Sequence, residues 1–185
     1  MECVVDKPIS YYAFEMLYWT GIREGELLAL TPTDFNFEKK TLRINKSYQR
    51  LEGEDVITDP KTTKSNRTIV MPDFLAIEME DFIKSIYGIK MNDRIFTISK
   101  SYLHHEMDRG AKLAGVKRIR IHGLRHSHIS LLINLGFSAL AIGERVGHEA
   151  IDITYHYAHL FPTVQTDMAA QLEKEREALV NVKKE

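Results

Sequence analysis

Residues 122–135 make two demands that few folds meet at once. Leu124, Ile129, Leu131, Leu132 and Leu135 recur on a helical period and Gly136 follows as a stop, so the stretch predicts a helix with one buried side. His122 and Arg125 stand three residues apart at its start, close enough on a helix surface to address one small anion. The unpaired N–H groups and partial positive charge of a helix N-terminus favour a phosphate at the same place. The core must therefore hold this helix rigidly while its first turn stays open. A short helix over 138–146, the pair Gly147-His148, and Tyr157 nine residues beyond His148 complete the stretch.

Upstream, residues 9–19 predict an aromatic-rich helix with Ser10 as its cap and Gly21 as its stop. Arg23 opens a short helix over 24–30 anchored by Leu27, Leu28 and Leu30. An arginine in such a place is most often solvated, or paired with a neighbour such as Glu24 or Glu26. Residues 41–45 alternate as a strand, and 56–58 with 68–71 predict a β-hairpin whose polar tip spans 59–66. Lys61, Lys64 and Arg67 lie on or beside it, where cations commonly serve as solvated groups or phosphate contacts. Residues 73–87 carry Phe74, Ile77, Phe82, Ile83 and Ile86 at helical spacing, and 101–114 predict a further helix ended by Gly115.

Two histidine pairs raise the question of a metal. His104 and His105 are adjacent and diverge on a helix, while His122 and His126 have zincin spacing but Gly123 where the catalytic glutamate of H-E-x-x-H would stand. No third ligand completes either set, so no metal and no cofactor is expected, and His126 and His128 read as packing or surface groups.

The H-x-x-R pair, the Gly-His pair and the tyrosine, together with the stretches Thr20-Gly21-Ile22-Arg23-Glu24-Gly25-Glu26-Leu27 and Pro60-Lys61-Thr62-Thr63-Lys64-Ser65-Asn66-Arg67, resemble the tyrosine recombinase (phage integrase) family, C-terminal catalytic domain. The four motifs occur in the family's order. The resemblance implies an α+β, mainly helical core, like that shared with type IB topoisomerases, holding a small antiparallel sheet or hairpin. It implies catalytic roles for Arg23, Lys61, His122, Arg125, His148 and Tyr157, with His122 as base and Lys61 as acid. It further implies a supporting role for Glu26, DNA-backbone contacts from Lys64 and Arg67, and double-stranded DNA as substrate for a homo-oligomer, tetrameric in the recombination complex. Tyr155 falls off the register. The alternatives are a topoisomerase-like enzyme without site choice and a DNA-binding module without catalysis.

A net charge of −1 does not announce a DNA binder. The expectations that answer it are basic residues gathered on one face, and a catalytic half, residues 1–162, whose usual N-terminal DNA-binding domain is absent from this chain. Residues 163–185 predict a helical tail with Val164, Met168, Leu172 and Leu179 on one side, suited to docking on its own domain or on a neighbouring protomer. No stretch approaches the ~20 apolar residues of a membrane span, the N-terminus lacks signal-peptide character, and Cys3 is the one cysteine. The cytoplasm is the expected location.

Overall fold

The computed structural model describes residues 2–59, 65–147, 152, 156–157 and 172–174. Helix α1 (Pro8–Thr20) runs through the middle of the core and buries Ala13, Phe14, Met16 and Leu17. Its N-cap is Lys7, with proline in the first turn, rather than Ser10, which is buried within the helix and donates to the Tyr102 hydroxyl at 3.1 Å. Gly21 ends it in the left-handed conformation at φ 66°. A β-carbon at Gly21 would lie 2.5 Å from the His128 ring, so two helices approach here at a distance that only glycine permits.

Helix α2 (Glu24–Ala29) follows, with Leu27 and Leu28 fully buried. Gly25 faces strand β3 (Ser47–Leu51), where an added β-carbon would meet Ser47 Oγ at 2.5 Å and the Tyr48 carbonyl at 3.0 Å. The Gly-Ile-Arg-Glu-Gly run is thus glycine at each end for two separate close contacts, and Arg23 is held between them.

The strands do not pair as their order suggests. β1 (Phe35–Asn36), β2 (Thr41–Ile44) and β5 (Arg67–Val70) form one antiparallel sheet in the order β1-β2-β5, while β3 pairs with β4 (Glu54–Thr58) in a second. The predicted hairpin between 56–58 and 68–71 is therefore corrected. β4 turns back on β3 through Glu52 and Gly53, both at positive φ (50° and 90°), the two-residue turn that matches strand twist. β5 instead pairs with β2, in register Leu42 to Ile69 and Ile44 to Arg67, because Leu42, Ile44 and Ile69 share one inward face.

Helix α3 (Asp73–Ser85) buries Leu75, Ala76, Met79, Phe82 and Ile83 and leaves Phe74 and Ile77 exposed, a rotated face relative to the predicted stripe. Helix α4 (Lys100–Leu113) is capped by Ser99, which accepts from the Tyr102 amide. Helix α5 (Ile121–Asn134) lies against α1, and α6 (Ala139–Val146) is capped by Ser138 and ended by left-handed Gly147. A second apolar cluster, Ile129, Ile133, Ile142, Val146 and Tyr157, joins α5 to α6. The mainly helical α+β expectation holds, and among the described residues no helix is long and apolar enough to cross a membrane.

The Gly21 contact yields a direct test. Gly21→Ala should lower unfolding stability by about 2 kcal/mol, since a methyl there both strains the left-handed backbone and overpacks against His128. Chemical denaturation showing no loss would mean that α1 and α5 approach less closely than described.

Candidate active site

The last turn of α6 assembles the site. Helix C-termini leave carbonyls without intrahelical partners and carry partial negative charge. Here three successive carbonyls each accept from a different arginine: Arg145 O from Arg67 Nε at 2.9 Å, Val146 O from Arg125 Nη2 at 2.6 Å, and Gly147 O from Arg23 Nη2 at 3.2 Å. Residues 23, 67 and 125, far apart in sequence, are thereby brought to one helix end.

Arg125 is 2% exposed and also donates from Nη1 to the Gly21 carbonyl at 2.5 Å, while its Nε has no partner among the described residues. Burial, reinforced by Arg23, lowers its pKa to about 9, which still leaves it charged at neutral pH. Arg23 is more open; its Nη1 contacts Glu26 Oε1 at 2.9 Å and its amide donates to Glu26 Oε2 at 2.8 Å.

Glu26 is buried and is the carboxylate that serves both Arg23 and Arg67. Burial works to raise its pKa, but the Arg67 hydrogen bond and charge, with help from Arg23, outweigh it and hold the carboxyl below the ordinary value. Arg67 meets it in a two-pronged contact, Nη1 at 3.0 Å and Nη2 at 2.8 Å, and also reaches the Ser65 carbonyl. The expectation that Arg67 contacts the DNA backbone is thus corrected. It occupies the inward face of β5 in phase with Ile69, 8% exposed, and its guanidinium is committed to protein groups.

Arg145 was not singled out from sequence. Its guanidinium donates to the Trp19 carbonyl at the end of α1, to the Val70 carbonyl at the end of β5, and to His128 Nε2 on α5, all at 3.1 Å. One side chain therefore ties α6 to β5 and α5, which present Arg67 and Arg125, and to the end of α1, which leads into Arg23. The signal available was a basic residue in the last turn of a helix that ends at Gly147-His148. His128 is correspondingly internal, and burial with Arg145 beside it lowers its pKa to about 4, so it remains neutral at physiological pH.

On the open side of α5, His122 and His126 are exposed, with rings perpendicular and centroids 4.7 Å apart. His122 and Arg125 do not point the same way, because Arg125 lies on the buried side with Leu124. The Tyr157 ring packs in the α5–α6 cluster, and its hydroxyl meets His126 Nδ1. The reading of His126 as a packing or surface group missed this contact, although its place one turn beyond His122 and next to Arg125 puts it at the same mouth. Lys61, Lys64, His148 and Tyr155 lie outside the described residues, as does nearly all of the tail.

The family model described as "Phage integrase family" matches residues 4–163, and the chain belongs to that family. It is 29% identical over 174 residues to the ICEBs1 integrase of Bacillus subtilis (strain 168), covering 86% of this chain and 47% of that protein. It is 30% identical over 187 aligned positions to a tyrosine recombinase XerC-like protein of Caldanaerobacter subterraneus subsp. tengcongensis, covering 86% of this chain and 48% of the relative. The chain thus spans about half the length of the curated relatives it matches. Among solved structures, the Tn1549 transposon integrase in complex with transposon right end DNA superposes with a TM-score of 0.74 at 24% identity, covering 91% of this chain and 58% of the other. XerA recombinase does so with a TM-score of 0.67 at 21% identity, covering 92% and 58%.

The Glu26–Arg67 contact sets a stability test. Glu26→Gln leaves a buried guanidinium without its counter-charge and should cost about 3 kcal/mol at neutral pH. Because the folded carboxyl titrates below its ordinary value of 4.5, the stability it contributes is present above that value and is lost as pH falls toward the lower folded pKa. The gap between the parent chain and Glu26→Gln, followed by urea denaturation, should therefore narrow below pH 4.5. A gap constant across that range would show that Glu26 is not held ionised by its arginines.

Proposed function

We propose that this chain is the catalytic domain of a site-specific DNA recombinase, an integrase of a mobile element, that cleaves and rejoins double-stranded DNA in the cytoplasm through a covalent phosphotyrosine. The observation that carries it is the convergence of Arg23 and Arg125 on the last carbonyls of α6, beside the Tyr157 hydroxyl, in a chain that belongs to the phage integrase family. The integrase complex with transposon DNA that shares this fold supports the choice of substrate.

A phosphodiester resists nucleophiles because of its charge, so cleavage needs charge neutralisation, an activated nucleophile and a protonated leaving group. Arg23 and Arg125 hold the non-bridging oxygens; the buried, unpartnered Nε of Arg125 is a donor suited to that purpose. Burial keeps the Tyr157 phenol above its ordinary pKa, with Arg125 pulling the other way, so the phenol needs a proton acceptor as it attacks. On the family pattern a histidine of α5 provides one. Attack forms a Tyr157 Oη–phosphorus bond at the 3′ side and expels the 5′ oxygen, which Lys61 protonates, while His148 donates a hydrogen bond to the phosphate. The phosphotyrosyl ester retains the bond energy, so a second 5′-hydroxyl rejoins strands without ATP. Lys64 is a backbone contact, and protomers assemble as a tetramer on paired sites, with residues 163–185 as the exchanged tail.

Two tests separate this reading from its rivals. On a nicked duplex that traps the intermediate, Tyr157→Phe should abolish the protein–DNA adduct and Tyr155→Phe should not, with EDTA making no difference; the reverse tyrosine pattern would move the nucleophile. On ordinary DNA, Lys61→Ala should be nearly inactive, yet recover cleavage when the 5′ bridging oxygen is replaced by sulfur, which departs without protonation. Lys64→Ala should show a modest defect that sulfur does not relieve. Rescue of Lys64→Ala in its place would assign the acid to that residue.

A further inference from the structure

We propose that His126, and not His122, is the immediate proton acceptor for the Tyr157 nucleophile; the proposal rests on the recombinase reading above. Of the two exposed α5 histidines, His126 is the one whose ring nitrogen Nδ1 meets the Tyr157 hydroxyl. The ring centroids of His126 and Tyr157 are 5.8 Å apart and their planes are tilted by 43°. His122 stands one helical turn back with its ring perpendicular to that of His126, where it braces the acceptor's plane.

The acceptor must be neutral and must carry its own proton on Nε2 to leave Nδ1 free. Burial, then the positive charge of Arg125 and the neighbouring His156, lower the His126 pKa and so favour the neutral ring. His126 follows Arg125 directly in sequence, so a single helical turn holds the phosphate ligand inward and the proton acceptor outward.

The step balances as follows. The Tyr157 Oη–H bond breaks and its proton passes to His126 Nδ1, as the phenolate oxygen forms its bond to phosphorus. The P–O5′ bond breaks, its electron pair stays on the 5′ oxygen, and that oxygen takes the proton of Lys61. In rejoining, the order reverses: a 5′-hydroxyl attacks, Tyr157 departs, and His126 returns the proton. The exposed edge of the His126 ring lets the imidazolium be solvated while it lasts.

The experiment uses the chain with Tyr157 either natural or replaced by 3,5-difluorotyrosine, whose phenol ionises far more readily and so needs no base. The probe is the nicked duplex that the parent chain cleaves best from a randomised pool, and the readout is the single-turnover rate of adduct formation. His126→Gln with the natural tyrosine should be slowed by about 100-fold or more, and difluorotyrosine should restore most of that loss. His122→Gln should be slowed without selective rescue. Since the His126 ring is exposed, His126→Gln should unfold at the parent's midpoint, which separates chemistry from folding. Full activity of His126→Gln, a defect that difluorotyrosine leaves unchanged, or rescue of His122→Gln in its place would each overturn the assignment. An adduct that survives both Tyr157→Phe and Tyr155→Phe would instead overturn the recombinase reading, and so the two failures are distinct.

Discussion

The structure depends on the C-terminus of α6, where the carbonyls of Arg145, Val146 and Gly147 accept from Arg67, Arg125 and Arg23 in turn. A helix end of this kind supplies acceptors in fixed directions without supplying a full negative charge. It can therefore orient arginines without neutralising them. A carboxylate in the same place would orient Arg125 equally well and would also compete with any phosphate for its charge. The arrangement holds the guanidiniums apart yet leaves most of their charge for a ligand.

Charge around the site is correspondingly unbalanced. Arg23, Arg67, Arg125 and Arg145 gather at α6, and Glu26 is the carboxylate that ion-pairs with any of them among the described residues. Glu26 serves Arg23 and Arg67, and among the described residues the partners of Arg125 are carbonyls. Burial, and after it the neighbouring charge of Arg23, bring the Arg125 pKa down to about 9; a bound anion would offset the repulsion between the two guanidiniums. This also explains how a chain of net charge −1 can present a cationic site: four arginines gather at one helix end with Glu26 as the carboxylate that pairs with them among the described residues.

How much of this could be read from sequence differed by element, for physical reasons. Helices α1, α4, α5 and α6 were legible to within a residue or two because their glycine and serine boundaries act locally. Strand pairing was not, since β2–β5 contact is set by which faces are apolar over a long separation, and the Glu52-Gly53 turn that ties β3 to β4 uses a non-glycine residue at positive φ. Arg67 was misjudged from its basic neighbourhood, although its alternation with Ile69 and Met71 marked it as inward. Arg23, Arg125 and Tyr157 could be singled out from the sequence, but the partners that aim them could not. Backbone carbonyls have no signature in a sequence, and Arg145 acts almost wholly through them.

Helix α5 shows why those partners matter more than the motif itself. Its inward side carries Arg125, His128, Ile129 and Ile133, and its open side carries His122 and His126. The Tyr157 ring packs in one cluster with Ile129 and Ile133 while its hydroxyl meets His126, so the proposed nucleophile, acceptor and phosphate ligand are all referenced to one rigid helix. A displacement of α5 against α1 would move all three together and preserve their mutual distances. Only the separation from Arg23 would change, and that separation is fixed by Gly21, whose carbonyl holds Arg125 and whose missing β-carbon admits His128. The close contact at Gly21 thus controls the distance between Arg23 and Arg125, the two arginines proposed to bind the phosphate.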